Sequence, residues 1–111
     1  MTPERLAQIH ADSFIVPRPW SADEFRNLLA QKNTQLILHQ HGFALIMLAG
    51  PEAELLTLAV DPPQRRRGFA SLLMRDMESI CSEHGVQDIF LEVVEQNTAA
   101  RALYAGHGYT V

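Results

Sequence analysis

A strand-like pattern of apolar residues changes to a helical one between Glu54 and His84, and this change constrains the fold of the 111-residue chain most. The apolar run that ends at Val60 predicts a strand. Asp61, followed by two prolines, ends that run. From Gly68 to His84 the apolar side chains recur at helical spacing, which predicts a long helix that packs by one face. The residues predicted on that face are Leu72, Leu73, Met77, Ile80, Cys81 and His84. The chain is therefore predicted to pass from a sheet directly into a helix.

The N-terminal half predicts two helices and a hairpin. One helix starts at Thr2-Pro3, and a second is opened by the capping box Ser21-Ala22-Asp23-Glu24. Apolar runs over Thr34–His39 and Phe43–Ala49, separated by a tight turn at His41-Gly42, predict antiparallel strands. The strand ending at Val60 is expected to continue this antiparallel meander.

The C-terminal part predicts one more strand and one more helix. Residues Val86–Val94 are expected to form a central strand, parallel to the one ending at Val60 after a right-handed crossover. Asn97 is predicted to cap a helix through Tyr104, and Tyr109 is predicted to begin a further strand. The predicted fold class is α+β, a mixed and mostly antiparallel sheet flanked by helices, in a single domain over residues 1–111.

Charge and cysteine content exclude several functions. The formal net charge of -4 argues against general binding to nucleic acid. The single cysteine, Cys81, excludes an internal disulfide and a cysteine-based zinc site, and it is expected in the core. His39 and His41 are interpreted as solvated turn residues, and no metal is expected. No stretch is apolar enough for a membrane span or a signal peptide, so a cytoplasmic location is expected.

The residues from Arg65 to Ala70 predict an anion site. Three arginines and two small residues stand where a strand gives way to a helix, and the first amides of a helix have no partner within it. The alternative is a solvated basic loop. Neither a P-loop nor a G-x-G-x-x-G motif is present, so two familiar phosphate motifs are excluded.

This segment resembles the signature of the GNAT acetyltransferases, which is arginine or glutamine, two residues, glycine, one residue, then glycine or alanine. Arg65, Gly68 and Ala70 satisfy it. The resemblance implies a GNAT-like fold and acetyl-CoA as co-substrate, with no metal. The cofactor-binding residues that it implies are Leu58, Ala59, Val60, Arg65, Arg66, Arg67, Gly68, Phe69, Ala70, Ser71 and Asn97.

A second segment, from Leu91 to Tyr104 with a glycine-aromatic close, resembles the RimI-type branch, the ribosomal-protein alanine N-acetyltransferases. The resemblance implies Glu92 as general base and Tyr104 as general acid. A carboxylate among apolar neighbours would be desolvated, which makes it a stronger base. The alternatives are an exposed Glu92 on the solvent face and a Tyr104 that only fills the core. Glu95 is a weaker candidate base, and His107 is interpreted as a surface histidine near the site.

The resemblance implies transfer of an acetyl group to a primary amine, with a protein N-terminus favoured. A small-amine acetyltransferase and a non-catalytic acyl-CoA-binding module remain alternatives. Compared with the RimI-type pattern, the chain is expected to lack the usual first and last strands. The edge of the Val86–Val94 strand would then be open, and a homodimer or strand exchange is expected to cover it.

Overall fold

The computed structural model describes residues 1–13, 20–64, 67–92 and 98–110. One four-stranded sheet, in the order β1-β2-β3-β4, has helices on both faces. The α+β class with a mixed sheet is confirmed. The elements in chain order are α1 (Pro3–Ser13), α2 (Ala22–Leu29), β1 (Thr34–His39), β2 (Gly42–Ala49), β3 (Glu52–Val60), a 3-10 turn (Pro62–Gln64), α3 (Phe69–Glu83), β4 (Asp88–Leu91) and α4 (Thr98–Gly106).

The hairpin of β1 and β2 turns one residue earlier than the sequence predicts. Its turn residues are Gln40 and His41, whereas Gly42 already belongs to β2 and pairs with His39. A Cβ atom at Gly42 would lie 2.5 Å from the carbonyl oxygen of Ala59. The glycine is therefore required by the close approach of β3 and not by the turn itself.

The two edges of β3 are paired over different lengths. Its antiparallel pairing with β2 runs from Glu52 to Val60, with a bulge at Leu56, the residue that the register skips. Its parallel pairing with β4 covers only Glu52 to Leu55. In the described part of the chain, no strand lies beside the second half of β3 on that edge. As far as the described residues go, the sheet is thus open where β3 approaches α3.

The face of the sheet under α1 and α2 carries a small aromatic core. The predicted capping box is confirmed, since the Ser21 hydroxyl accepts from the Glu24 amide at 3.2 Å and the Ser21 amide donates to the Glu24 carboxylate at 3.3 Å. This box fixes the start of α2, which places Phe25 in the core. The buried apolar residues here are Leu6, Ile9, Phe25, Phe43 and Ala59.

His10 ties this helical layer to the sheet. It is only 4% exposed, its Nδ1 accepts a 2.9 Å hydrogen bond from the Trp20 amide, and its Nε2 lies 3.0 Å from the Thr57 hydroxyl in β3. Burial lowers the pKa of His10 to about 4, against an opposing effect of the Glu24 carboxylate. The ring is therefore neutral, and with Nδ1 accepting, Nε2 carries the proton and donates to Thr57.

The other face packs against α3, with a side-chain pattern that partly differs from the predicted one. Met74 is fully buried although the sequence pattern did not include it, whereas Leu72, predicted inward, is 40% exposed. Cys81 is buried, which confirms its place in the core. The buried residues of α3 are Leu73, Met74, Met77 and Cys81.

The expectation of a central fourth strand is wrong for the described residues. β4 is the last strand in the sheet, and Phe90 is 53% exposed because no described strand or helix covers it. Val93 and Val94 lie outside the described residues. An edge covered by a second copy stays a prediction.

The chain after α4 does not begin a strand at Tyr109. Gly108 has a φ of 90°, and the Tyr109 amide donates to the Tyr104 carbonyl at 3.0 Å, which closes the end of the helix. Val111 lies outside the described residues. None of the described helices has the length and apolar character that a membrane span requires.

Candidate active site

The start of α3 offers three backbone amides to a ligand. Gly68 is the N-cap, with φ 82° and ψ 6°, and the first hydrogen bond of the helix runs from the Leu72 amide to the Gly68 carbonyl at 3.1 Å. The amides of Phe69, Ala70 and Ser71 precede that bond and have no acceptor within the helix. Their position at the positive end of the helix suits a phosphate group. Arg65 and Arg66 lie outside the described residues.

The turn between β3 and α3 is anchored through Asp61. Its amide donates to the His41 carbonyl at 2.8 Å, and its carboxylate pairs with the Arg5 guanidinium at 2.8 Å. The Gln64 amide in turn donates to the Asp61 carbonyl at 2.8 Å. Bonds to α1, to the hairpin and within the 3-10 turn thus hold the end of β3 in place, which fixes where the next helix can begin.

The aromatic ring of Phe69 packs against two histidines that the sequence placed in solvent. The ring centroids of His39 and His41 lie 4.5 Å and 5.0 Å from that of Phe69, and both histidines are only partly exposed. Arg67 lies above the same ring at 5.8 Å and bonds the Gln64 side chain at 2.7 Å. The interpretation of solvated turn residues is therefore wrong. Within the described ranges, no cluster of side chains could hold a metal ion.

The open edge of β3 leads to this helix start. Ala59 and Val60 are buried and Leu58 packs on the core, so these residues present their backbone, not their side chains, at the edge. β3 and β4 are parallel, so both point their carboxyl ends to the same side of the molecule. In such sheets ligands bind outside the carboxyl ends of the strands.

Glu92 follows β4 directly and therefore stands on the same side. Its side chain is exposed, so the predicted burial of this carboxylate is wrong. Side chains alternate between the two faces of a sheet, so Glu92 lies on the same face as Phe90. Leu91 lies on the opposite face, which packs against α3. Glu95 and Asn97 lie outside the described residues.

Tyr104 lies in α4 and packs against the core beneath α3. Burial raises its pKa above the ordinary tyrosine value, so the phenol keeps its proton near neutral pH. Its ring stands edge-on to that of Tyr109, with centroids 6.2 Å apart. The residue thus fills core space and also holds a proton that it can donate.

Sequence reasoning missed a polar contact between α3 and the end of α4. His107 Nε2 lies 3.3 Å from the Ser71 hydroxyl, and His107 Nδ1 lies 3.4 Å from a carboxylate oxygen of Glu78. The His107 side chain is only 16% exposed, so the interpretation of a surface histidine is wrong. Ser71 and His107 are 36 positions apart, and no local pattern links them.

The shallow groove of about 260 Å³ on the sheet is a separate feature. It lies over the first half of β3, whereas the free amides and the open edge lie past the second half. It is lined by Met47, Ala49, Glu52, Ala53, Glu54 and Phe90.

Comparison with known proteins gives a consistent assignment. The model of the acetyltransferase (GNAT) family matches residues 4–109. The chain is 30% identical to the [ribosomal protein bS18]-alanine N-acetyltransferase of Escherichia coli K12, over 97% of this chain and 76% of the relative. It is also 30% identical to the N-alpha-acetyltransferase RimI of Mycobacterium tuberculosis, over 96% and 71%. The crystal structure of the ribosomal-protein-S18-alanine N-acetyltransferase from Escherichia coli superimposes with a TM-score of 0.83 at 28% identity, covering 94% of this chain and 68% of the other.

Proposed function

The chain belongs to the acetyltransferase (GNAT) family, and we propose that it acetylates the α-amino group of a protein N-terminus. Relatives of the chain are named N-acetyltransferases. The observation that supports this most is the free start of α3 beside the open edge of β3. Backbone donors beside a strand edge that no described strand covers are what an extended, phosphorylated cofactor such as acetyl-CoA requires.

In this proposal the cofactor is held mainly by backbone groups. The amides from Phe69 to Ser71, with that of Gly68, donate to the pyrophosphate, and the edge of β3 from Leu58 to Val60 pairs with the pantetheine arm. Arg65, Arg66 and Arg67 add charge that raises affinity, and Asn97 adds a further contact. The fit is supported by the donors that α3 leaves without acceptors. The thioester supplies an activated acetyl group when it is bound.

The acetyl transfer is proposed to run by direct attack. Glu92 takes a proton from the ammonium of the acceptor, and the freed nitrogen forms a bond to the acetyl carbon. A backbone amide at the β3 edge stabilises the oxyanion. The carbon-sulfur bond then breaks, the nitrogen loses its second proton to water as the amide forms, and the Tyr104 hydroxyl gives its proton to the leaving thiolate and recovers one from solvent. No covalent enzyme intermediate is required.

The exposed position of Glu92 fits an α-amino acceptor better than a lysine. An α-amino group has an ordinary pKa of roughly 7.7 to 8.0, against about 10.4 for lysine, so a weaker base suffices. Two relatives are named for acetylation of an alanine on ribosomal protein bS18. We therefore propose an N-terminal alanine of that protein as the acceptor.

The experiment is a transfer assay with acetyl-CoA and a peptide that copies the N-terminus of bS18, read by mass spectrometry. A matched peptide carries a blocked N-terminus and an internal lysine. Acetylation of the free peptide alone supports the proposal. Acetylation of small amines alone, tested in parallel, would contradict the acceptor. Binding of coenzyme A by calorimetry with no transfer to any amine would mean a non-catalytic module.

A further inference from the structure

His107 joins two turns of α3 through both nitrogens of its ring. One nitrogen faces the hydroxyl of Ser71 in the first turn, at 3.3 Å, and the other faces the carboxylate of Glu78, at 3.4 Å. Ser71 and Glu78 are seven positions apart and therefore lie on one face of the helix. The three side chains therefore lie in a polar row along α3, from Glu78 to the helix start.

At Glu78 one carboxylate oxygen lacks a hydrogen bond. Oε1 of Glu78 is shielded from solvent although the side chain is 39% exposed, and no donor in the described part of the chain makes a hydrogen bond to it. His107 Nδ1 faces this oxygen at 3.4 Å, a distance at which the doubly protonated ring and the carboxylate attract each other. Burial raises the pKa of Cys81, Tyr104 and Tyr109, the last to about 12, so these neighbours are uncharged near neutral pH.

The number of protons on His107 decides what Ser71 can do. With one proton, on Nδ1, the ring accepts at Nε2 and the Ser71 hydroxyl must donate to it. With two protons, Nε2 donates to the Ser71 oxygen, and the hydroxyl hydrogen is free to turn outward. Ser71 is the third residue of α3, so a hydroxyl turned outward joins the free amides of the first turn.

We propose that His107 takes up a proton from solvent when the diphosphate of coenzyme A binds at the start of α3, while the Ser71 hydroxyl donates to the anion. This inference rests on the proposed function, since it takes coenzyme A as the ligand. His107 is a positioning residue, because it acts on the ligand through Ser71. Glu78 faces the ring with and without the ligand, whereas the bound anion adds a further preference for the doubly protonated ring, so affinity for coenzyme A falls as the pH rises.

Calorimetry of coenzyme A binding in two buffers of different ionisation enthalpy counts the protons taken up per ligand. The wild-type chain is expected to take up more than Ser71→Ala and His107→Phe, by up to about one proton near pH 7. Its affinity for coenzyme A is expected to fall with rising pH, by at most about tenfold per pH unit, and the variants should show a flatter profile. The phosphate monoester of coenzyme A itself titrates near about pH 6. The result is therefore the difference in proton uptake between the wild-type chain and the variants.

Two controls separate this role from a merely structural one. His84→Phe removes an exposed histidine at the far end of α3 and should leave proton uptake unchanged. Pantetheine, which has no phosphate, should bind without uptake through His107. A structural role alone would alter thermal stability but not the proton count.

The outcomes are distinguishable. If coenzyme A binds and the wild-type, Ser71→Ala and His107→Phe chains take up equal numbers of protons, the inference is wrong while the proposed function stands. If coenzyme A does not bind the wild-type chain, the proposed function is wrong. The inference is then tested with inorganic pyrophosphate and the same three chains. It is overturned if pyrophosphate does not bind or if the three chains take up equal numbers of protons.

Discussion

The two halves of the proposed site are built from different kinds of groups. The half at the end of β3 and the start of α3 offers backbone amides and a strand edge, held in place by Asp61 and Gly68. The half at the end of β4 and in α4 offers side chains, an exposed Glu92 and a partly buried Tyr104. Backbone amides change position only when the loop that carries them changes conformation, whereas a single substitution can remove a side-chain group. Substitutions in the first half should therefore alter cofactor affinity, and those in the second should alter turnover.

The largest expected effect is on turnover in the side-chain half. Glu92→Gln removes the proposed base and should lower kcat by about a hundredfold to ten-thousandfold, about 3 to 5 kcal/mol of barrier, with little change in coenzyme A affinity. Steady-state kinetics and calorimetry measure the two quantities. Asp88→Asn, at the exposed carboxylate that begins β4, is the matched control and should stay near wild type. Equal rates for both variants would remove Glu92 from the mechanism.

The next effect is on stability and concerns the hydrogen bond from His10 to Thr57 in β3. Its pKa is lowered from 6.5 to about 4, so the fold holds the neutral ring. The stability that this provides is fully present above about pH 6.5 and is lost as the pH falls toward 4, because the unfolded chain then binds a proton that the folded chain does not. The loss amounts to at most about 3 kcal/mol.

Urea unfolding between about pH 4 and 8 tests this prediction. His10→Gln should be less stable than wild type at neutral pH, and its stability should depend less on pH in this window. His84→Gln, at an exposed histidine, should retain the wild-type slope. If the free energy of unfolding of the wild-type chain does not decrease as the pH is lowered from about 6.5, the neutral, hydrogen-bonded ring in the folded chain is contradicted.

A smaller effect on turnover is expected from Tyr104→Phe, about tenfold to a hundredfold in kcat. The ring remains in the core, so stability and coenzyme A affinity should change little. Tyr109→Phe removes the neighbouring hydroxyl and is the control, with kcat near wild type. Single-turnover kinetics isolates the chemical step. If the control loses as much rate as the variant, the acid is not Tyr104.

The smallest effect is the sharpest test of the backbone half. Gly68→Ala and Gly85→Ala both place a Cβ at a positive φ, 82° and 74°, in open space. Each should cost about 1–2 kcal/mol from backbone strain. Only Gly68→Ala should also weaken coenzyme A binding, by up to about tenfold, because its loop orients the free amides of α3. Equal coenzyme A affinity in both variants would argue against that role.

The patterns that were predicted correctly depend on neighbours in the sequence. The capping box at Ser21 needs only Glu24 three residues later, and the change of period after Val60 needs only the local order of apolar residues. The glycine after the arginines predicts a helix start, and Gly68 is the N-cap of α3. Each of these features is decided within one or two turns of backbone.

The errors in predicted burial concern residues whose surroundings come from distant parts of the chain. The central position predicted for β4 implied that Phe90 is covered, but no described strand or helix lies over it. His39 and His41 followed the turn pattern of a hairpin, yet Phe69 packs against both rings from another element. The face of α3 was misjudged at Met74 and Leu72, because the sheet and not the helix decides which side is covered.

The sequence by itself determined the order of the elements, the helix start that follows the arginines and the family signature, since all three are written in short-range spacing. The tertiary structure alone decided that β4 lies beside the first part of β3, from Glu52 to Leu55, that His10 reaches Thr57 across 47 positions, and that His107 connects Ser71 to Glu78. These contacts depend on how helices and strands pack in three dimensions, which spacing along the chain does not encode.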